Sequence, residues 1–232
     1  MIRMTRLAAF LASLVLLSAC LLTPGKFTST LDIRKDHSFT FTYQGEVIAQ
    51  DFGDQMKGLG KESGPEDPGE DEASSATEPD GKSAEDATEK EAKLRAMADA
   101  LAKEKGFRSV RYVDNDTLEI DYAISGRIDH SFLFPFNSDA QAVLPFIAVE
   151  VRQDNKVRVQ APGFGSSDDK TGGMGGGDSS KRREGTFTLT TDAEIVSQNQ
   201  EEGATRTGDG KRLVWKVTPL TRTAPMAVLA LD

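Results

Sequence analysis

The chain has 232 residues, 38% of them hydrophobic, and carries 37 acidic against 28 basic side chains for a formal net charge of -9 at pH 7. That length suits one domain with a sizeable core, and the acidic balance excludes a nucleic-acid partner held by phosphate contacts. A single cysteine excludes an intramolecular disulfide framework, so the fold must stand on its core alone.

The amino terminus opens with Arg3 and Arg6, followed by an apolar run from Leu7 to Leu17 and by the small residues Ser18 and Ala19 ahead of Cys20. The run is too short for a helix crossing a hydrocarbon layer of about 30 Å, and its order of charge, apolar stretch and small residues is that of a cleaved export signal. Residues 1–19 are therefore expected to be a signal peptide, with Leu17, Ser18 and Ala19 leading to the cleavage point. Leu17-Ser18-Ala19-Cys20 resembles the lipobox of bacterial lipoproteins: leucine, alanine or serine, glycine or alanine, then cysteine. The resemblance implies lipidation of Cys20, a lipidated tether over residues 20–25, the membrane as a partner reached through the acyl chains, and a cell-envelope location. Leu21 stands where the lipoprotein class commonly carries an aspartate for inner-membrane retention, so the periplasmic face of an outer membrane is expected.

Residues 26–232 are expected to form a single domain. Phe27, Ser29, Leu31 and Ile33 alternate with polar residues, as do Phe39, Phe41 and Tyr43, and this period of two on both sides of Lys35-Asp36-His37 predicts a β-hairpin. An acidic insert over residues 53–82 follows, rich in Gly, Pro, Glu, Asp and Ser, which buries too little apolar surface to offset its ordering entropy and is expected to be disordered. Between Lys61 and Glu91 twelve acidic residues face three lysines, so the acidity belongs to one segment and not to the folded surface. A helix comes next, with Ser83 and Asp86 as a capping pair, Leu94, Met97, Ala98 and Leu101 on one face, and Glu89–Lys93, Glu91–Arg95 and Asp99–Lys103 as acid-before-base pairs. Gly106 is expected to stop it.

The remainder reads as strands. Phe107 to Val113 and Thr117 to Ile124 flank the turn cluster Asp114-Asn115-Asp116, and Phe146 to Val151 and Lys156 to Ala161 flank Asp154-Asn155. Ile128, His130, Phe132 and Phe134 share a face of a further strand. A Gly-rich insert over residues 163–185 holds Gly172 to Gly177 and the basic cluster Lys181-Arg182-Arg183, read as solvated. Phe187 to Thr191, Glu194 to Gln198 and Arg212 to Val217 complete the set. The expected fold class is α+β: a mostly antiparallel sheet of seven to nine strands with one long helix packed on one face, and two disordered inserts.

Phe39, Phe41, Tyr43, Phe132 and Phe134 line one side of this sheet, either as a candidate pocket for an apolar ligand or as core packed under the helix. Chemistry is sparse elsewhere. With Cys20 committed to lipid, no thiol remains as nucleophile or metal ligand. His37 falls in a turn, while Asp129, His130 and Ser131 are strand neighbours pointing to opposite faces. Gly81-Lys82-Ser83 lacks the first glycine and the preceding strand of a phosphate loop. The acids from Glu66 to Glu72 lack calcium-loop spacing. Glu119 and Asp121 share a strand face that solvation explains. No cofactor, metal or catalytic residue is expected.

The opening Gly25-Lys26-Phe27-Thr28-Ser29-Thr30-Leu31-Asp32-Ile33-Arg34-Lys35-Asp36, with Phe39-Thr40-Phe41 after it, resembles a set of uncharacterised envelope lipoproteins. The closing Gly210-Lys211-Arg212-Leu213-Val214-Trp215-Lys216-Val217-Thr218-Pro219-Leu220 is similar to the last strand of LppM-like lipoprotein domains. That resemblance implies an α+β fold and lipid binding, and it carries over no catalytic residue. The expected function is a non-enzymatic, membrane-anchored envelope lipoprotein that binds a lipid or an envelope protein. The alternatives are an envelope hydrolase and a passive structural or assembly component.

Overall fold

A computed structural model describes residues 20–51, 84–135, 145–165, 181–208 and 210–231. The expected signal peptide with Leu17, Ser18 and Ala19, the capping residue Ser83, the whole acidic insert and residues 166–180 lie outside the described residues.

The predicted first hairpin is present and longer than expected. Strands β1 (Cys20–Ile33) and β2 (Ser38–Asp51) pair antiparallel along their whole length. Phe27, Ser29, Leu31 and Ile33 point inward and are buried, and Asp36 accepts a hydrogen bond from the Ser38 amide at 2.9 Å to close the turn. Residues 20–25, expected as a tether, are the first part of β1, with Cys20 opposite Asp51, Leu22 opposite Ala49 and Pro24 opposite Val47. The reason is that Val47-Ile48-Ala49 supplies an apolar strand for them to pair with, and all three of its side chains are buried. The register shifts between Pro24 and Phe27, a bulge that absorbs a residue unable to donate to the ladder. Gly45 faces this bulge at φ 149°, where a Cβ would stand 2.2 Å from the Lys26 carbonyl oxygen.

Helix α1 (Ala84–Leu101) has Leu94 and Ala98 buried and Met97 and Leu101 half-buried against the core. Two of the three expected pairs form, Glu89–Lys93 at 2.8 Å and Glu91–Arg95 at 2.6 Å, while Lys103, expected opposite Asp99, lies past the helix end. The helix lies along strand β3 (Phe107–Tyr112), where the Arg95 guanidinium sits 5.0 Å above the Tyr112 ring. Gly106 is not the helix stop; it is the point where backbone crosses Tyr122, with φ 97° and room for no Cβ beside the ring.

Strand β4 (Thr117–Arg127) follows a tight turn in which Asn115 and Asp116 both take positive φ, and β6 (Ile147–Val151) and β7 (Lys156–Gln160) are joined the same way through Asp154 and Asn155. The remaining strands are β5 (Phe132–Phe134), β8 (Glu184–Thr191), β9 (Glu194–Gln198), β10 (Thr205–Thr207), β11 (Gly210–Val217) and β12 (Met226–Ala230). Among the described residues twelve strands are thus present instead of seven to nine, in two sheets instead of one. The seven-stranded sheet runs β10-β11-β8-β1-β2-β4-β3 and the five-stranded sheet β5-β6-β7-β12-β9. Among the described residues all pairings are antiparallel except β1 with β8. The class remains a mostly antiparallel α+β fold.

The two sheets share one core, in which Leu31, Phe41, Phe187 and Leu213 of the larger sheet meet Phe134, Ile147, Val159 and Leu229 of the smaller. The start of the expected Gly-rich insert belongs to this core. Residues Pro162–Phe164 form a 3-10 turn that plants Phe164, fully buried, on the Phe27 ring at a centroid distance of 4.2 Å. The end of the insert is equally ordered, since Glu184 and Gly185 open β8 against Lys26 and Phe27.

Candidate functional site

The aromatic residues singled out from the sequence do converge. Alternation along β2 sends Phe39, Phe41 and Tyr43 to the inner face, and Phe132 and Phe134 arrive on β5 of the opposing sheet. Ring centroids lie 5.2 Å apart for Phe39–Phe132, 5.4 Å for Phe41–Phe132, 5.0 Å for Phe41–Phe134 and 5.3 Å for Tyr43–Phe134. These are contact separations for aromatic pairs, so the space between the rings is taken by the rings. The stack continues through Tyr122 and Phe107 on one side and through Phe146, Phe164, Phe187 and Trp215 on the other. Tyr43 donates its buried hydroxyl to the Glu46 carbonyl at 2.8 Å, and burial pushes that phenol well above its ordinary pKa, with the nearby Glu46 charge adding to the effect. Phe39, Phe41, Tyr43 and Phe134 are thus filled core, with Phe132 half-buried against them.

The polar candidates occupy exposed or half-buried positions. His37 is half-buried in the β1–β2 turn and accepts the Ile128 amide through its carbonyl at 2.8 Å. His130, expected in a strand, lies in an exposed bend between β4 and β5, with Asp129 and Ser131 exposed beside it. Glu119 pairs with Arg111 at 2.7 Å and Asp121 with Arg108 at 3.9 Å, so each carboxylate on that strand face has its own cation. No cluster of three His, Cys, Asp or Glu side chains able to hold a metal occurs among the described residues.

A chain of hydrogen bonds instead gathers several loops at the end of the sandwich where β1 begins. Ala49, opposite Leu22, donates its amide to the Asp116 carbonyl at 2.8 Å, which fastens the β3–β4 turn to that end. Arg182 reaches the same turn, donating to Asn115 O at 3.4 Å and Thr117 Oγ1 at 2.9 Å. Arg183, read from the sequence as part of a solvated cluster, is 6% exposed. Its guanidinium donates to Gly165 O at 2.9 Å and Thr221 O at 3.4 Å, tying the 3-10 turn to the loop after β11. Burial lowers its pKa, yet a guanidinium remains charged across the physiological range.

The loop after β11 is itself fastened. Thr221 donates its amide to Thr218 O at 3.0 Å, and Thr218 donates its own to Thr221 Oγ1 at 2.9 Å. At its tip stands Leu220, 87% exposed, the extreme among the large apolar side chains of the described residues. Val113, at the end of β3 on the same pole, is 49% exposed. Sequence reasoning used Leu220 only within a strand resemblance; the signal available was the Thr-Pro-Leu-Thr turn, which places an apolar residue where turns are ordinarily polar.

Two open depressions lie elsewhere. One of about 430 Å³ runs between β9 and the β10–β11 ribbon, lined by Ile195, Val196, Gln198, Arg206 and Lys211. The other, of about 410 Å³, lies by Thr30, Asp32, Thr188, Thr190, Arg212 and Val214. No described helix is long and apolar enough to cross a membrane.

No protein-family model and no curated protein matches this chain. The folded domain of the LppM protein of Mycobacterium tuberculosis, solved by NMR, is weakly similar in structure, with a TM-score of 0.35 and 15% sequence identity over 91% of this chain and 93% of that one.

Proposed function

We propose that the chain is a lipid-anchored, non-enzymatic protein of the bacterial cell envelope, tethered through Cys20, whose sandwich engages an envelope component with its surface. One observation carries this reading: the sole cysteine stands where a charged, apolar and small-residue leader ends and where β1 begins. Acyl chains on that thiol, at about 0.8 kcal/mol per buried methylene and with more than one chain, anchor a protein stably. Leu21 favours the outer membrane in a cell that has two. The filled aromatic core favours recognition on the surface over carriage of a lipid inside, and the exposure of His130 together with the pairing of Glu119 and Asp121 with arginines favours binding over catalysis.

Cell fractionation of the Cys20→Ser variant tests the anchor: loss from the membrane fraction is expected, and unchanged membrane association contradicts it. Native mass spectrometry of the chain without its leader tests the surface reading. A bare protein mass is expected, and a lipid carried through purification argues for an internal ligand.

A further inference from the structure

We infer that the pole of the sandwich bearing Cys20 is itself a membrane-contacting surface, with Leu220 as an apolar wedge and Arg182 and Arg222 as cations for anionic phosphate headgroups. This rests on the lipid anchor proposed above and adds an orientation to it.

The first ground is distance. A flexible tether would let the domain sit anywhere near the bilayer, but β1 is already paired with β2 at Cys20. At about 3.3 Å per strand residue, the level of Gly25 lies only about 17 Å from the anchoring residue. The loops at that level are therefore held within reach of the headgroups.

Register then decides which loops these are. Val217 of β11 pairs with Gly185, and Gly185 with Phe27, so the chain after Val217 continues toward the Cys20 end. Arg183 binds Thr221 there, and Arg182 joins the β3–β4 turn that Ala49 fastens to β2. Leu220, at 87% exposure, is held out on a turn locked by the Thr218 and Thr221 hydrogen bonds, whereas the next most exposed large apolar residue, Val196, reaches 50%. A fixed turn that presents a leucine to water loses little conformational entropy when it inserts.

Charge is the weaker contribution. Arg182 and Arg222 are exposed on this pole, Arg222 two residues after the wedge and Arg182 at the β3–β4 turn, but Asp114 and Glu184 are exposed there too. Headgroup attraction by the arginines is thus partly offset, and the apolar side chain supplies the rest. The combination of acyl chains, one wedge and flanking cations follows the two-signal logic of stable peripheral anchoring.

The test uses the lipidated full chain in vesicles of phosphatidylethanolamine and phosphatidylglycerol in a three-to-one ratio, with its native thiol consumed by lipid. Leu220→Cys carries a nitroxide label, and Lys35→Cys, just past the far end of β1, carries the same label as a control. The expected result is that on vesicle binding the label at 220 gains collisions with oxygen and loses collisions with an aqueous nickel complex, while the label at 35 keeps both. A label at 220 that stays nickel-accessible on anchored protein overturns the inference and leaves the anchor standing. One hidden from both relaxants also overturns it, because a second protein surface then covers the leucine. A chain that carries no acyl mass removes the anchor and this surface together.

Discussion

Replacing Phe41 by alanine separates a filled aromatic core from a hollow one. The Phe41 ring is 0% exposed and touches Tyr122, Phe132 and Phe134 at centroid distances of 6.0, 5.4 and 5.0 Å. Both sheets contribute to this nest, so neither can collapse into the void without losing contacts to the other. Truncation of a phenylalanine in such a site costs about 3–5 kcal/mol. For a chain of this size that lowers the melting temperature by roughly 6–20 °C, at about 2–4 °C per kcal/mol. Phe41→Leu, which keeps most of the apolar volume, is expected to cost about 1–2 kcal/mol. Urea unfolding followed through Trp215, the sole tryptophan, measures both, because its indole stacks on Phe187 at 5.4 Å within the same aromatic run. A loss below about 1 kcal/mol for Phe41→Ala, the level of an ordinary surface substitution, would refute the reasoning. The ring would then be lining space and not filling it.

Gly45→Ala is expected to destabilise by at least about 1–3 kcal/mol, since its positive φ and the Lys26 carbonyl both exclude a Cβ; thermal unfolding measures this. Arg183→Met keeps the aliphatic stem but removes the donors to Gly165 O and Thr221 O, for an expected loss of about 2–3 kcal/mol and faster proteolysis of the Pro162–Phe164 turn. The raised pKa of Tyr43 predicts alkaline sensitivity. Below the ordinary phenol value of 10.0 both folded and unfolded states are protonated; above it the unfolded chain gives up its proton while the buried phenol keeps it, so stability falls as pH rises past that point. Tyr43→Phe is expected to flatten this fall in pH-dependent unfolding, and an unchanged slope contradicts the assignment.

Local patterning made much of the fold legible. The Asp114-Asn115-Asp116 and Asp154-Asn155 turns were readable because those side chains tolerate positive φ, which the backbone adopts at both places. The Glu89–Lys93 and Glu91–Arg95 pairs marked the helix for the same local reason. What lay hidden was long-range or short. β5 and β10 are too brief for any period to register, and the parallel pairing of β1 with β8 joins residues more than 150 positions apart, so two sheets looked like one. Phe164 and Arg183 were masked by their neighbours: glycine-rich and basic surroundings read as solvated chain, although these two side chains are buried. Cys20 stood out as the sole cysteine, but that β1 begins there depended on Val47-Ile48-Ala49 more than twenty residues away. The wedge at Leu220 required the register of β11 to place it.

Mass measurement of the amino-terminal peptide, released by protease from protein extracted out of native membranes, tests the central claim most directly. The anchor predicts a peptide that begins at Cys20 and carries acyl groups on its sulfur. A peptide that begins elsewhere, or one with an unmodified thiol at Cys20, contradicts it.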